Sequence, residues 1–258
     1  MGSPEQPIDL SDEQLLRYSR HILLDEFGPE AQAKFAATNA LVIGAGGLGA
    51  PVAQFLTAAG VGTVTLCDSD SVDLTNLQRQ ILYATADVGR PKVEAAAARL
   101  SAINPEVALT PIHARVDEEA LCELVASADI AIDCCDNFAT RHALNRACVG
   151  ARKPLVSGAA VRFDGQIAVF DMRDPASPCY HCLFGEGDEL EETRCATMGV
   201  FAPLVGIVGA TQAAEALKLI AGVGESLAGR LLILDALAMQ WREVRVPRDP
   251  ACAVCSGR

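Results

Sequence analysis

The chain has 258 residues, half of them hydrophobic but only 5% aromatic. That length supports a full core, and an apolar content drawn from Ala, Val, Leu and Ile suits packed helices and buried parallel strands rather than disorder or low complexity. A formal net charge of −12 argues against a general nucleic-acid backbone binder, which needs a basic face. It leaves room for a basic protein partner, or for a small anion held by a few placed cations.

The opening MGSPEQPIDL has neither a basic region nor an apolar core, and Gln6 stands where a myristoylation signal needs Ser or Thr. The longest apolar run, residues 40–67, is interrupted by Gly44, Gly46, Gly47, Gly49, Pro51, Gly60 and Gly62. A membrane helix is not punctuated so often, whereas a strand-turn-helix-strand unit is. A soluble cytoplasmic protein with no membrane or nucleic-acid partner is therefore expected. In such a compartment the ten cysteines read as thiols, metal ligands or catalysts rather than disulfides.

Residues 11–27 predict one amphipathic helix. Ser11 and Gln14 have capping-box spacing, Leu15, Ile22 and Leu23 share a face, and Arg17 and Arg20 project elsewhere. Strands and helices then alternate. Strands are expected at 40–43, 62–67, 107–112, 130–134 and 154–156, and helices at 48–59, 93–103, 118–126 and 138–151. This rhythm predicts an α/β fold with a Rossmann-like, doubly wound, mostly parallel sheet covered on both faces. The pattern changes at 161–170, where FDGQ reads as a hairpin turn and so predicts a C-terminal antiparallel elaboration. Residues 172–197 are irregular, 205–220 form a long apolar helix, and late strands lie at 231–234 and 241–246. With no internal repeat or linker, residues 1–258 read as a single domain whose nucleotide-binding half is 10–158.

Gly44-Ala45-Gly46-Gly47-Leu48-Gly49 fits G-x-G-x-x-G between a strand and a helix. Such glycines let the backbone approach a phosphate at a helix N-terminus. Asp68 follows at the end of the next strand, where an acid can reach ribose hydroxyls. Glycines used only for packing are the plain alternative, and an NAD-dependent oxidoreductase is the commonest owner of such a loop. Further on, Arg79 and Lys92 flank the site. Fixed cations suit a triphosphate that gains charge during transfer, although each alone also reads as solvated surface. Asp136 and Asn137 follow a buried strand, at the carboxyl end that faces the crevice of an open sheet. A carboxylate there can bind Mg²⁺; equally, either residue can cap the next helix.

RYSRHILL, GAGGLG, DSDSVDLTNLQRQ, GRPKVEAA, INPEV, DCCDN and PLVSGAA together resemble the adenylyltransferases that activate ubiquitin-like sulfur carrier proteins. That family includes the molybdopterin-synthase and thiamine-pathway adenylyltransferases and the adenylation half of ubiquitin-activating enzymes. The likeness runs from Leu10 to Cys255. PLVSGAAVRFDGQIAVF and DALAMQWREV with CAVC are most similar to the molybdopterin branch, in its short form with no sulfurtransferase-like domain following. The resemblance implies that the glycine loop contacts ATP and that Asp68 holds the ribose. It places Asp70, Thr75, Leu77, Gln78 and Asn137 at the nucleotide, Asn76, Arg79 and Lys92 on phosphates, and Mg²⁺ on Asp136. It implies that Arg20 reaches the triphosphate from the other subunit of a homodimer. The partner it implies is a small carrier ending in Gly-Gly, bound by residues 159–258. A non-catalytic scaffold for a ubiquitin-like partner is the third reading.

Cys179-Tyr-His-Cys182 and Cys252-Ala-Val-Cys255 are two C-x-x-C pairs far apart in sequence. Four thiolates suit a closed, tetrahedral, structural Zn²⁺ site; a redox C-x-x-C is the rival. His181 reads as a spectator. Cys195 lies beside Arg194, which would lower its pKa. The resemblance allows it a thioester or persulfide link to the carrier, and a structural role stays open. Cys67, Cys122, Cys134, Cys135 and Cys148 read as small core residues. The acidic run 186–192 reads as a solvated loop or as a cover over a groove for the carrier tail.

Overall fold

The computed structural model describes residues 10–185 and 198–257. Eight strands form one sheet: β1 (Asn39–Ile43), β2 (Thr63–Cys67), β3 (Ala108–Ile112), β4 (Ile130–Asp133), β5 (Pro154–Val161), β6 (Asp164–Asp171), β7 (Arg230–Asp235) and β8 (Gln240–Arg245). Their order is β3-β2-β1-β4-β5-β6-β7-β8. Pairing is parallel from β3 through β5 and antiparallel from β5 through β8. The expected doubly wound sheet with an antiparallel extension is thus present.

Nine helices are introduced in chain order among the described residues: α1 (Asp12–Arg17), α2 (Ser19–Ile22), α3 (Gly28–Ala36), α4 (Gly49–Ala58), α5 (Lys92–Ile103), α6 (Glu118–Ser127), α7 (Phe138–Ala151), α8 (Tyr180–Leu183) and α9 (Ala202–Ala221). Strand alternation sends side chains to opposite faces, and β1 shows it. Val42 joins Leu56, Val64, Ile132, Val156 and Val208 under α4, α5 and α9. Leu41 and Ile43 join Leu121, Val125, Leu144 and Leu155 under α6 and α7. Each fully buried leucine contributes about 2 kcal/mol. By length and composition α9 could cross a membrane. Here it packs on β4, β5, β6 and α4 and buries Gln212 and Glu215.

Three expectations need correction. Residues 11–27 are not one helix but α1 and α2, broken at Tyr18. That tyrosine is buried; its hydroxyl donates to Glu106 Oε2 at 2.9 Å and accepts from Asn104 Nδ2 at 2.8 Å. A tertiary anchor therefore overrides helical periodicity, and neither short helix buries a residue. Leu15, Ile22 and Leu23 do not face the core. The hairpin turn is Arg162-Phe163, one step before Asp164-Gly165. Gly165 is a strand residue, because a Cβ there would lie 2.8 Å from Val208 on α9. Finally, β4 stops at Asp133, so Cys134 and Cys135 lie just beyond it, and Cys122 is exposed.

Candidate active site

The strand order reverses between β1 and β4, and crevices open at the carboxyl ends of strands at such a point. The glycine loop leaves β1 there and the Asp136 loop leaves β4. The two loops touch: Gly44 has φ +99°, and a Cβ on it would lie 2.5 Å from the Cys134 carbonyl oxygen. A Cβ on Gly49 would overlap the Gly44 carbonyl, and one on Gly47 would meet Val205 at 2.9 Å. Packing therefore accounts for three of the four glycines. Gly46 faces more open space, with Gln80 Nε2 3.6 Å from its would-be Cβ. No side chain caps α4, which leaves its first turn available to an anion.

The loop is held from beneath. Asp68 Oδ2 accepts the Ala45 N–H at 2.7 Å, and its Oδ1 accepts the Asp70 N–H at 2.8 Å. Tyr83, buried, donates its hydroxyl to the Ala45 carbonyl at 2.7 Å. Burial, then the charge of Asp68, pushes the Tyr83 phenol well above its usual range, so it stays a donor. Both polar atoms of the Ala45 backbone are thus fixed.

Lys92 is buried at the start of α5 and makes a 2.8 Å ion pair with the exposed Asp70. Thr75 and Asn76 end a short 3-10 turn capped by Asp73. Leu77 and Gln78 follow, and Arg79 donates back to the Thr75 carbonyl at 3.2 Å. The Asp136 carboxylate is exposed and bonds to nothing among the described residues. Asn137 caps α7, accepting the Thr140 N–H at 2.9 Å. Of the two residues weighed for that role, Asn137 takes it and Asp136 is left over.

Arg20 is exposed on α2. Tyr18, two residues before it, is anchored beside Gly60 and Asn104, which precede β2 and β3 and so lie at the amino ends of the strands. A five-residue strand spans about 16 Å, so Arg20 does not join the crevice of its own chain. Cys195 lies outside the described residues, as does the acidic run 186–192.

Several supporting residues escaped the sequence reading, Tyr83 and Arg141 among them. Asp133 is 1% exposed at the end of an apolar strand. Its carboxylate accepts from Ser157 Oγ at 2.7 Å and from the Cys135 amide at 3.1 Å. Gln212 donates to the Asp133 carbonyl at 2.7 Å. Burial, then Asp133, pushes the thiols of Cys134 and Cys135 well up, so neither is a ready nucleophile. The available signal was a polar residue inside an apolar run: Asp133 in IAID, Gln212 in α9.

The second site is the cysteine cluster. The Sγ atoms of Cys179, Cys182, Cys252 and Cys255 all lie within 4.8 Å of one another. The separations are 3.9 Å for Cys179–Cys182, 3.7 Å for Cys179–Cys252 and 3.5 Å for Cys182–Cys255. Sulfurs about 2.3 Å from a tetrahedral metal lie about 3.8 Å apart, so the four cysteines are positioned to hold one. Burial opposes ionisation at Cys255, but hydrogen bonds from Cys182 and Arg248 bring its thiol down to about 7.

Comparison with known proteins agrees with this geometry. A family model described as "ThiF family" matches residues 18–254. The chain belongs to the ThiF family. It is 46% identical over 250 residues to the molybdopterin-synthase adenylyltransferase of Escherichia coli K12, spanning 96% of this chain and 98% of that one. It is 45% identical over 249 residues to that organism's sulfur carrier protein ThiS adenylyltransferase, with the same coverage. The crystal structure of E. coli MccB with ATP superposes with a TM-score of 0.82 at 26% identity, covering 93% of this chain and 73% of MccB. The resemblance to carrier-activating adenylyltransferases seen in the motifs is therefore borne out.

Proposed function

We propose that the protein is an ATP-dependent adenylyltransferase. It activates the C-terminal glycine of a small ubiquitin-like sulfur carrier protein, in molybdopterin biosynthesis. The observation that carries this reading is the crevice at the switch point, where a pinned glycine loop meets an exposed Asp136 with no partner among the described residues, in a chain with near-full-length adenylyltransferase relatives. The carrier carboxylate attacks the α-phosphorus of ATP. The bond from that phosphorus to the bridging oxygen breaks, and pyrophosphate leaves with the electron pair. No side-chain nucleophile is needed.

Both reactants are anions, so the chain's own task is to bring them together. Amides of the glycine loop face the phosphates, and Asn76, Arg79 and Lys92 supply donors beside them. Lys92 pairs with the exposed Asp70, which holds its charge in place beside the crevice. One such stabilising contact is worth about 3 kcal/mol, or roughly a hundredfold in rate. Asp136 offers the hard oxygen donor that magnesium takes; magnesium, when bound, neutralises phosphate charge.

A homodimer supplies Arg20. Leu16 on α1 and Leu23, just past the end of α2, are 77% and 70% exposed, and exposed apolar side chains of this kind suit an interface. A partner subunit covering it would bring its own Arg20 to this chain's crevice. Zinc fits the cysteine cluster by donor set and spacing and would clasp α8 to the C-terminus. The carrier body would dock where Phe163 and Phe201 stack at 5.2 Å beside exposed Leu237, at the same end of the sheet as the crevice. The 45% identity to the ThiS adenylyltransferase keeps the thiamine-branch carrier as a second substrate. ATP–pyrophosphate exchange that requires a carrier with a free C-terminal Gly-Gly is expected. Exchange that is indifferent to the final glycine, or NADH binding without ATP binding, contradicts the reading.

A further inference from the structure

Arg141 is a full charge on α7 that the reaction does not use, and it is 7% exposed. Its guanidinium reaches three partners. Nη2 donates to the Cys135 carbonyl at 2.6 Å and to the Gly158 carbonyl at 2.9 Å, and Nη1 lies 3.5 Å from Asp133 Oδ2. Burial opposes the charge, but Asp133 beside it keeps the group ionised. Removing two such charges from water is costly, and a well-packed apolar pair serves stability as well or better. The pair's geometry shows a different use.

The four residues between β4 and α7 are Cys134, Cys135, Asp136 and Asn137. Cys135 is gripped on three atoms: its N–H and Sγ donate to Asp133 Oδ1 at 3.1 and 2.8 Å, and its carbonyl accepts from Arg141. Asn137 is fixed as the cap of α7. Asp136 sits between these two anchors and is the exposed member of the loop. The second bond of Arg141, to Gly158 on β5, ties the loop to the neighbouring strand. A functional carboxylate needs such support, because small displacements of a reacting constellation are expensive in rate.

We propose that Arg141 is a positioning residue. By holding the Cys135 and Gly158 carbonyls at once, it sets the place of the Asp136 carboxylate over the crevice. This rests on the reading of Asp136 as the magnesium-side carboxylate. It requires that loss of the two carbonyl bonds show up as loss of magnesium-dependent nucleotide binding, and not merely as instability.

The test compares Arg141→Lys, which keeps a charge beside Asp133 but cannot span both carbonyls, with Asp136→Ala. ATP affinity is measured by calorimetry with magnesium and with chelator, alongside kcat and carrier KM in pyrophosphate exchange. For Arg141→Lys the expected result is unchanged affinity in chelator, loss of at least tenfold in the gain that magnesium gives, a similar fall in kcat, and an unchanged carrier KM. The double variant Arg141→Met with Asp133→Asn removes both buried charges, keeps an Oδ1 acceptor for Cys135, and should show the same losses if Arg141→Lys does not fold. A folded Arg141 variant with the wild-type magnesium gain and kcat overturns the proposal while Asp136→Ala remains inactive. If Asp136→Ala itself keeps the gain and the exchange rate, the underlying reading of Asp136 falls, and this proposal with it.

Discussion

The crevice and the cysteine cluster both gather residues from distant stretches of chain, and they differ in what keeps those residues in place. Under the crevice the chain supplies every support. Asp68 and Tyr83 fix Ala45, Arg141 and Asp133 fix Cys135, and Asn137 caps α7. Asp136, left exposed above them, is proposed to serve the magnesium side of ATP. The cysteine cluster joins α8, a four-residue helix, to a C-terminal segment with no regular helix or strand. Asn145 on α7 donates to Cys179 Sγ at 3.7 Å and accepts from the Tyr180 amide at 2.9 Å, which ties α8 to α7; the Cys179–Cys252 and Cys182–Cys255 sulfur contacts, within an apolar cluster that includes Tyr180 and Val246, join α8 to the C-terminal segment. One site is shaped by the fold before any ligand arrives; the other is positioned to hold a metal, which would tie its two segments together.

The largest expected effect lies at the top of the crevice. Asp136→Ala should reduce exchange by about a hundredfold or more and leave the melting temperature unchanged, because the side chain is exposed. A large fall in melting temperature would blur the contrast by making Asp136 part of the support. If Arg20 acts across the dimer, mixing inactive Arg20→Ala and Asp136→Ala subunits in equal amounts should restore about one quarter of wild-type exchange, since half the dimers are mixed and each holds one intact site. No recovery on mixing would show that Arg20 does not complete the site of a partner subunit.

The second effect is at the cluster. Cys179→Ser should lose the bound metal, measured by elemental analysis. A loss of about 3 kcal/mol would lower the melting temperature by roughly 6–12 °C in a chain of this size. ATP affinity should change far less. Equal damage to metal content and ATP binding would mean that the two sites are not separately held. The smallest effect is beneath the glycine loop. Tyr83→Phe removes one buried hydrogen bond, worth about 1 kcal/mol, and should raise the ATP KM about fivefold without changing kcat. An unchanged KM would show that the Ala45 carbonyl needs no support.

What the sequence made legible follows the same division. The βα rhythm, the glycine loop and the four cysteines could be read because each is a local pattern repeated or spaced along the chain. The helix break at Tyr18 could not, because it depends on Asn104 and Glu106, more than eighty residues away. The same holds for Gly165, whose requirement comes from α9 rather than from a turn. Residues proposed to touch ligand announced themselves through motifs such as GAGGLG and NLQRQ. Those that hold the motifs in place, Tyr83, Asp133, Arg141 and Gln212, did not, since a buried polar side chain has meaning only when its partner across the fold is known.

The most direct measurement is the mass of the carrier after incubation with the enzyme, ATP and magnesium, taken for molybdopterin-branch and thiamine-branch carriers and for each of them shortened by its last glycine. A carrier that gains one adenylate when the terminal glycine is present, and none when it is absent, is the result expected here, with the molybdopterin-branch carrier reacting faster. A full-length carrier of either branch that stays unmodified while the enzyme binds ATP would contradict the proposed activity and leave the crevice a nucleotide-binding scaffold.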